Sequence, residues 1–431
     1  MTRARLTRRW QLIQSDERQR LFKNTGLLLA ATAFARLAGV ITVALIGRKL
    51  GPDILGDYAL GMAWAAIIFQ IADMGLSVTL RREAARKPDE APSLYSYLLP
   101  LFGVMMGLGL LAAFGTGKLF GYSAGTLWIV IGIAVISIVD RFAQFNMAVF
   151  DASEAMEYSA SSILVRAVMI AIGVPLYLWY GGTIGGVLLV LLLAASIEML
   201  TTHLLLARLY FPPRLRFNPR RWKAILLDSY PLAFSGIFVI IYYRVDTIMI
   251  QSMIGAAAAG YYNAAYALMG GFTMISVAFN RSMFAQFAQV DTRPQAVLKA
   301  LNRGILWMGI AGGSIAVGLF LFATPLIRLL YGPTFVGESD IVLRILGWTL
   351  LFMFMSSLCG SFLNASGHQQ ISMRITAITA TLNVVLNFLF IPRIGYVGAA
   401  ITTILSYAFG LSAMYFYIRT RVFASVAKGT A

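Results

Sequence analysis

Long, uninterrupted apolar runs separated by short polar breaks occupy almost the whole chain. The runs are continuous rather than alternating, which excludes a membrane β-barrel and leaves helices as the means of satisfying the backbone in lipid. Stretches of about 20 residues cross a hydrocarbon core. Counting them predicts spans at 26–48, 55–80, 94–115, 124–149, 158–180 and 184–207, then at 229–254, 258–284, 300–323, 340–363, 371–391 and 395–418. The expected fold class is therefore an all-α integral membrane protein with 12 transmembrane helices.

The pattern occurs twice. Leu50-Gly51, Gly56 and Tyr58 return as Ile254-Gly255, Gly260 and Tyr262, 204 residues later. Asp151-Ala152-Ser153 returns as Asn364-Ala365-Ser366, and Gly182-x-x-Gly185 as Gly395-x-x-Gly398, both 213 residues on. The repeat predicts two six-helix lobes, 25–208 and 229–419, with a basic cytosolic N-terminal segment at 1–24, a basic cytosolic linker at 209–228 and a cytosolic tail at 420–431. Duplication of a membrane-spanning unit is how many transporters are built, with substrate handled where the repeats face each other. Three pairs of small residues, Gly103/Gly107, Gly182/Gly186 and Gly309/Gly313, read as helix-packing contacts.

Composition agrees with this class: of 431 residues 59% are hydrophobic and 12% charged. Mean hydropathy is +0.76. The net charge of +17 is mostly topological. Arg3, Arg5, Arg8, Arg9, Arg18, Arg20 and Lys23 precede the first span; Arg81, Arg82, Arg86 and Lys87 follow the second; Arg208, Arg214, Arg216, Arg220, Arg221 and Lys223 follow the sixth. These loops share one side, and the opposite loops hold little beyond Arg48, Lys49, Lys118 and Arg393, so both termini are expected in the cytoplasm. Basic residues that flank apolar spans form no nucleic-acid face. Asp16 and Glu17 in a long polar lead argue against a cleaved signal peptide. Short outward loops leave no room for a catalytic domain there. The absence of a phosphate loop, with His203 and His368 as the only histidines and Cys359 as the only cysteine, gives ATP hydrolysis, metal chemistry and disulfides no residues to use. The expectation is a non-enzyme with no cofactor and no metal.

Eight ionisable residues fall inside predicted spans: Arg36, Asp73, Asp140, Arg141, Arg166, Glu198, Arg244 and Asp246. Each is costly in lipid unless it faces water or pairs inside the bundle. A carboxylate can be neutralised by a proton, whereas arginine cannot shed its own and needs a permanent anionic partner or water. Arg36, Arg141, Arg166 and Arg244 are thus candidate anion-binding residues, and Asp73, Asp140, Glu198 and Asp246 are candidates for coupling to a proton or a sodium ion. Arg244 and Asp246 lie about 200° apart around one helix, so one faces a cavity and the other a neighbouring helix; Arg244 is the substrate candidate, with a structural ion pair the alternative for either. Tyr262, Tyr266, Thr273 and Asn280 fall within about 40° of each other on an ideal helix, a line of aromatic and hydroxyl groups that suits sugars or, alternatively, belongs to the interfacial belts. Gln70 aligns with Asp73 and Ser77 in the matching helix of the first lobe. Thr376, Thr379, Asn383 and Asn387 form another polar face, for which hydrogen bonding between helices is the simpler account. Arg281, Arg303 and Arg374, near cytoplasmic ends, snorkel or give the inner mouth a positive potential.

Arg244-x-Asp246-Thr-Ile-Met-Ile running into Ile254-Gly255-x4-Gly260-Tyr-Tyr262-x-Ala-Ala265-Tyr266, with Asn364-Ala-Ser-Gly367 and Gly395-x-x-Gly398-Ala-Ala later, resembles the polysaccharide-biosynthesis (O-antigen and exopolysaccharide) flippases of the multidrug, oligosaccharidyl-lipid and polysaccharide exporter superfamily. The resemblance covers nearly the whole chain. It implies two six-helix lobes around a cavity that opens alternately to each side. It also implies transfer of an undecaprenyl-diphosphate-linked oligosaccharide to the periplasmic leaflet of a bacterial inner membrane, for cell-surface polysaccharide or lipopolysaccharide, alongside other polysaccharide-assembly proteins. Deep arginines would receive the diphosphate and the polar and aromatic faces the glycan. The alternatives are a multidrug or cation antiporter of the same superfamily, which would favour an acidic cavity, and a non-transporting scaffold in glycan biosynthesis.

Overall fold

The computed structural model describes the backbone of residues 17–423, with side chains over 26–229 and 236–423. The expected N-terminal segment and tail lie largely outside these residues. The described residues are mostly helical, with no strand among them, and build all 12 predicted membrane helices. The first two, α1 (17–50) and α2 (52–73), are continuous except at Gly51, whose φ of 89° breaks the helical path. A short α3 (Leu76–Arg86) follows a left-handed turn at Met74 and Gly75. Then come α4 (Ala91–Leu119), α5 (Ala124–Ala152), α6 (Met156–Trp179) and α7 (Ile184–Leu209). The second set comprises α8 (Pro219–Met253), α9 (Ala256–Phe287), α10 (Pro294–Tyr331), α11 (Ser339–Gly347), α12 (Thr349–Ala365), α13 (369–393) and α14 (396–417).

α8 and α10 run well beyond the expected 229–254 and 300–323, α8 taking in half of the expected 209–228 linker, and two other spans differ in kind. The second ends at Asp73 rather than 80, because α3 is amphipathic: Leu76, Thr79, Leu80 and Ala84 are buried, while Arg81, on its exposed face, pairs with Asp151 at 3.2 Å. The tenth is divided at Trp348 into α11 and α12.

The chain forms two compact units, one containing the residues up to Thr42 and Trp64–Ile237, the other Val43–Ala63 and everything from Phe238 onwards. The end of α1 and the start of α2 therefore pack with the second repeat. The repeated glycines explain how. A Cβ on Gly56 would lie 1.9 Å from the carbonyl oxygen of Ala256, and one on Gly260 would lie 2.0 Å from that of Pro52. Ala256 stands 204 residues after Pro52, as Gly260 does after Gly56, so each repeat's glycine seats the other repeat's turn. Gln251 fastens the same place by donating to Asp57 at 2.6 Å. Both turns bend at equivalent positive-φ glycines, Gly51 at 89° and Gly255 at 135°.

The other repeated small residues differ in how closely a neighbouring helix approaches them. Gly182 and Gly186 make room for the ring of Tyr177, which a Cβ would meet at 2.1 and 2.0 Å. A Cβ on Gly103, Gly309 or Gly313 would make ordinary contact, no closer than 3.4 Å, with Phe142 of α5 or with Leu351 and Met355 of α12, whereas one on Gly312 would lie 2.7 Å from the Leu350 carbonyl oxygen, the tight approach of α10 to α12. The Asp151-Ala-Ser and Asn364-Ala-Ser motifs are equivalent turns that end in left-handed residues, Glu154 at φ 57° and Gly367 at 80°.

Gly56→Ala and Gly260→Ala should each cost roughly 1–3 kcal/mol through forced backbone separation, while Gly107→Ala, with nothing within 4 Å, should not. Buried Cys359 is the only cysteine in the chain, so a thiol-reactive dye in a detergent melt reads the difference directly. Wild-type melting of both variants would remove the glycine contact.

Candidate functional site

Each unit holds a buried polar centre built on predicted in-span charges. In the first, α5, α6 and α7 bring Asp140, Arg166 and Glu198 together. Nη1 of Arg166 donates to Oδ1 of Asp140 and, at 3.2 Å, to Oε2 of Glu198. The Asp140 carboxylate also accepts from Gln144 at 2.8 Å. Side-chain exposure falls from 27% for Arg166 and 20% for Asp140 to 3% for Glu198. Nε of Arg166 is buried and has no partner. Beside this triad, Tyr95 donates to Asn146 at 2.6 Å and Asn146 to Thr202 at 3.1 Å, a neutral buried chain through α4, α5 and α7.

In the second unit the centre is Asp246 on α8. Its carboxylate accepts from Tyr262 of α9 at 2.8 Å, from Asn387 of α13 at 2.6 Å and from Thr403 of α14 at 2.9 Å. Asn387 also donates to Asn383 at 3.2 Å and accepts from Thr402. Asp246 is 3% exposed, and no cation forms an ion pair with it among the described residues. Three neutral donors spread its charge without cancelling it.

These geometries sort the sequence candidates. Asp246 turns into the packing of α9, α13 and α14, and Arg244 lies within electrostatic reach of Tyr266. Arg166 has the permanent anionic partners that a deep arginine needs. Arg141 lies within electrostatic reach of Asp73, which accepts from Ser77 at 2.5 Å. Arg36 is exposed on α1, as are Arg281, Arg303 and Arg374 on their helices.

The glycan-facing line on α9 is corrected in part. Tyr262 is 1% exposed and its hydroxyl is committed to Asp246, so it belongs to the buried network. Tyr266 stacks on it with ring centroids 5.9 Å apart. Thr273 donates to the Gly270 carbonyl at 2.8 Å and Asn280 to Ser357 at 2.7 Å, leaving the Asn280 carbonyl oxygen buried without a partner. Gln70 lies against Gly236, whose Cβ would meet its amide nitrogen at 2.8 Å. Asn387 does hydrogen-bond between helices, as the simpler account has it, with Asp246 of α8 and Thr402 of α14 as partners, whereas Asn383 accepts from Asn387 on the same helix. Thr402 and Thr403 escaped the sequence reading. The available signal was a hydroxyl pair one turn beyond Gly398-Ala-Ala in an otherwise apolar helix.

The described residues form a strand-free, twice-repeated set of twelve membrane helices with a polar centre in each repeat. It superposes on the inward closed conformation of the lipid II flippase MurJ with a TM-score of 0.73 at 16% identity, covering 93% of this chain and 89% of that one. An inward-facing multidrug resistance MATE transporter of the MOP superfamily gives 0.74 at 15% identity, over 92% and 96% of the two chains. The polysaccharide biosynthesis protein family model matches residues 21–290, more than half of the sequence, and the chain belongs to that family. A MatE model matches residues 231–389. Among relatives, the capsular polysaccharide biosynthesis protein CapF of Staphylococcus aureus is 22% identical over 94% of this chain and 100% of its own length. The probable low-salt glycan biosynthesis flippase Agl15 of Haloferax volcanii is 22% identical over 88% of this chain and 80% of its own. The protein is a multi-pass membrane protein of a transporter superfamily and not an enzyme.

Replacing Asp246 by Ala strands three buried donors and should cost about 3–5 kcal/mol, in the range for breaking a buried charged network. Asp246→Asn keeps most of the shape and should cost less than half of that. The Cys359 melt measures both, and equal melting of Asp246→Ala and wild type would show that the network is not formed.

Proposed function

We propose that this protein is a flippase that moves an undecaprenyl-diphosphate-linked oligosaccharide from the cytoplasmic to the periplasmic leaflet by alternating access, for cell-surface polysaccharide or lipopolysaccharide assembly. The observation that carries the reading is end-to-end correspondence with glycan-pathway relatives: CapF aligns over its full length and Agl15, named a probable glycan flippase, over 80% of its own. The H. volcanii protein AglR, a probable flippase, adds 31% identity over 39% of this chain. In this reading the protein sits in the bacterial inner membrane with both termini in the cytoplasm, as its basic loops favour, and works beside other polysaccharide-assembly proteins.

The chemistry of the residues supports a division of roles. Arginine suits a diphosphate because its fork donates two parallel hydrogen bonds to phosphate oxygens. Arg36, Arg141, Arg166 and Arg244 are assigned to the anion, with Tyr266, Thr273, Asn280 and Gln70 towards the glycan and exposed Arg281, Arg303 and Arg374 at the cytoplasmic mouth. Asp246 is assigned to coupling. A carboxylate held by neutral donors alone keeps a full negative charge in an apolar setting, and a proton or a sodium ion would remove that cost. Of the other candidate acids, Asp73 lies within electrostatic reach of Arg141, and Asp140 and Glu198 share Arg166.

A multidrug antiporter is the second reading, favoured by the MatE match over 231–389 and by the probable multidrug resistance protein YpnP of Bacillus subtilis, 26% identical over 46% of this chain. Four deep arginines weigh against a cavity for cationic drugs.

Cells lacking the protein should accumulate lipid-linked glycan on the cytoplasmic side, and Arg244→Ala should reproduce most of that block, with at least about tenfold lower flux for a lost charge-assisted contact. Radiolabelled lipid-linked glycan, scored by leaflet, measures it. Normal glycan export with altered drug resistance would favour the antiporter.

A further inference from the structure

We propose that the linker between the repeats holds an anionic glycerophospholipid against the first unit, with the phosphate on Arg216 and Arg221 and the acyl chains along α4. The sequence supplies the charge. Arg214, Arg216, Arg220, Arg221 and Lys223 stand within ten residues, and no acid occurs from 214 to 227. None of the five forms an ion pair among the described residues. The other basic loop differs, because Arg81, Arg82, Arg86 and Lys87 each have a carboxylate at 3.6 Å or less.

Folding turns that charge into a site. The Arg216 amide donates to the Ser96 carbonyl at 2.9 Å and the Trp222 indole to the Tyr97 carbonyl at 3.0 Å, so 216–222 is fastened to α4 at both ends. Between them Asn218 accepts from the Arg221 amide at 3.2 Å and caps the start of α8. This path sets two guanidiniums over one ring, Arg221 at 4.3 Å and Arg216 at 5.8 Å from the centroid of Tyr97. The ring attracts each cation through its quadrupole but has no net charge to cancel theirs. Both side chains are exposed. Two arginines gathered on one tyrosine without a carboxylate form a positive pair that repels itself until a phosphate joins it.

Depth along α4 makes the anion a lipid headgroup. Tyr97 and Lys118 lie 21 residues apart on this one helix with no charged side chain between them, about 32 Å at 1.5 Å per residue. That is the thickness of a hydrocarbon core, so with Lys118 at one headgroup level Tyr97 lies at the other. Exposed Leu215 and Phe217 flank Arg216, a mixture of apolar and basic side chains that rests in a bilayer interface. Further along α4, Val104, Leu108 and Leu111 are exposed and share the face of Tyr97, all four within about 60° at 100° per residue. An acyl chain laid on that stripe brings its phosphate to the arginines. A soluble anion would meet the cations alone, whereas a phospholipid meets both.

The inference goes beyond the flippase reading and does not depend on it. The test uses the full-length protein in detergent micelles, with phosphatidylglycerol as the probe and phosphatidylcholine as the neutral control, bound lipid being counted by native mass spectrometry. Wild type should hold phosphatidylglycerol at least about tenfold more tightly than phosphatidylcholine. Arg216→Gln combined with Arg221→Gln should abolish that preference, and Tyr97→Leu, which keeps every charge, should lower it about threefold or more. Arg82→Gln combined with Arg86→Gln removes the same charge from side chains already paired with Glu83 and should leave the preference at the wild-type level. The Cys359 melt confirms that each variant is folded. No preference in wild type, or an undiminished one in the arginine pair or in Tyr97→Leu, overturns the proposal. So does an equal loss in the Arg82 and Arg86 variant, which would mean a diffuse positive field in place of a site. Equimolar undecaprenyl diphosphate should leave most of the phosphatidylglycerol bound; displacement of nearly all of it would give the site to the transported lipid and end the phospholipid assignment.

Discussion

A polar group surrounded by hydrocarbon must find its partner inside the protein, and this fold follows from that demand at three scales. At the backbone it forces helices, because a helix closes its own hydrogen bonds. Where the path has to turn, it allows the break only at residues that tolerate a positive φ, such as Gly51 and Gly255. At the side chains it gathers Asp140, Arg166 and Glu198 in one unit and Asp246 with Tyr262, Asn387 and Thr403 in the other. Between helices it favours the closest packing that the residues permit, which is why glycine stands opposite the carbonyls of Pro52, Ala256 and Leu350.

The duplication that shapes the scaffold does not extend to the two polar centres. Counting back by the repeat offsets from Asp246, Asn387 and Thr403 gives Thr42, Val174 and Val190. Counting forward from Asp140, Arg166 and Glu198 gives Met353, Thr379 and Leu411. Each centre thus lacks a counterpart in the other repeat, although the turns that bracket them match residue for residue. Tyr58 and Tyr262, by contrast, occupy the same place in the repeat and are both buried, and Tyr262 donates to Asp246. Once a fold is duplicated, either copy can lose or gain a charge without disturbing turns set by glycine geometry. The two centres also differ in kind. One contains its own cation and an excess acid; the other is a lone acid among neutral donors. They are suited to different ions or to different moments in a cycle.

The sequence alone determined the class, the number and helical nature of the spans, the repeat, and the identity of nearly every residue in the two centres. It could do so because hydropathy and glycine placement are local properties, and because an ionisable residue inside an apolar run is conspicuous wherever its partner lies. Tertiary structure decided what each of these residues meets. Asp140, Arg166 and Glu198 lie 26 and 32 residues apart in sequence, and no periodicity links them. Tyr262 was legible as part of a polar stripe yet turns out to be sequestered by an acid on the preceding helix, and Thr402 and Thr403 resembled ordinary helix residues until α14 packed against α8 and α13. The grouping of 43–63 with the second repeat was equally hidden, because it depends on two backbones approaching within the space that a single missing Cβ provides. Local chemistry sets which groups cannot remain alone in the membrane; only the packing of helices distant in sequence decides which group each one finds.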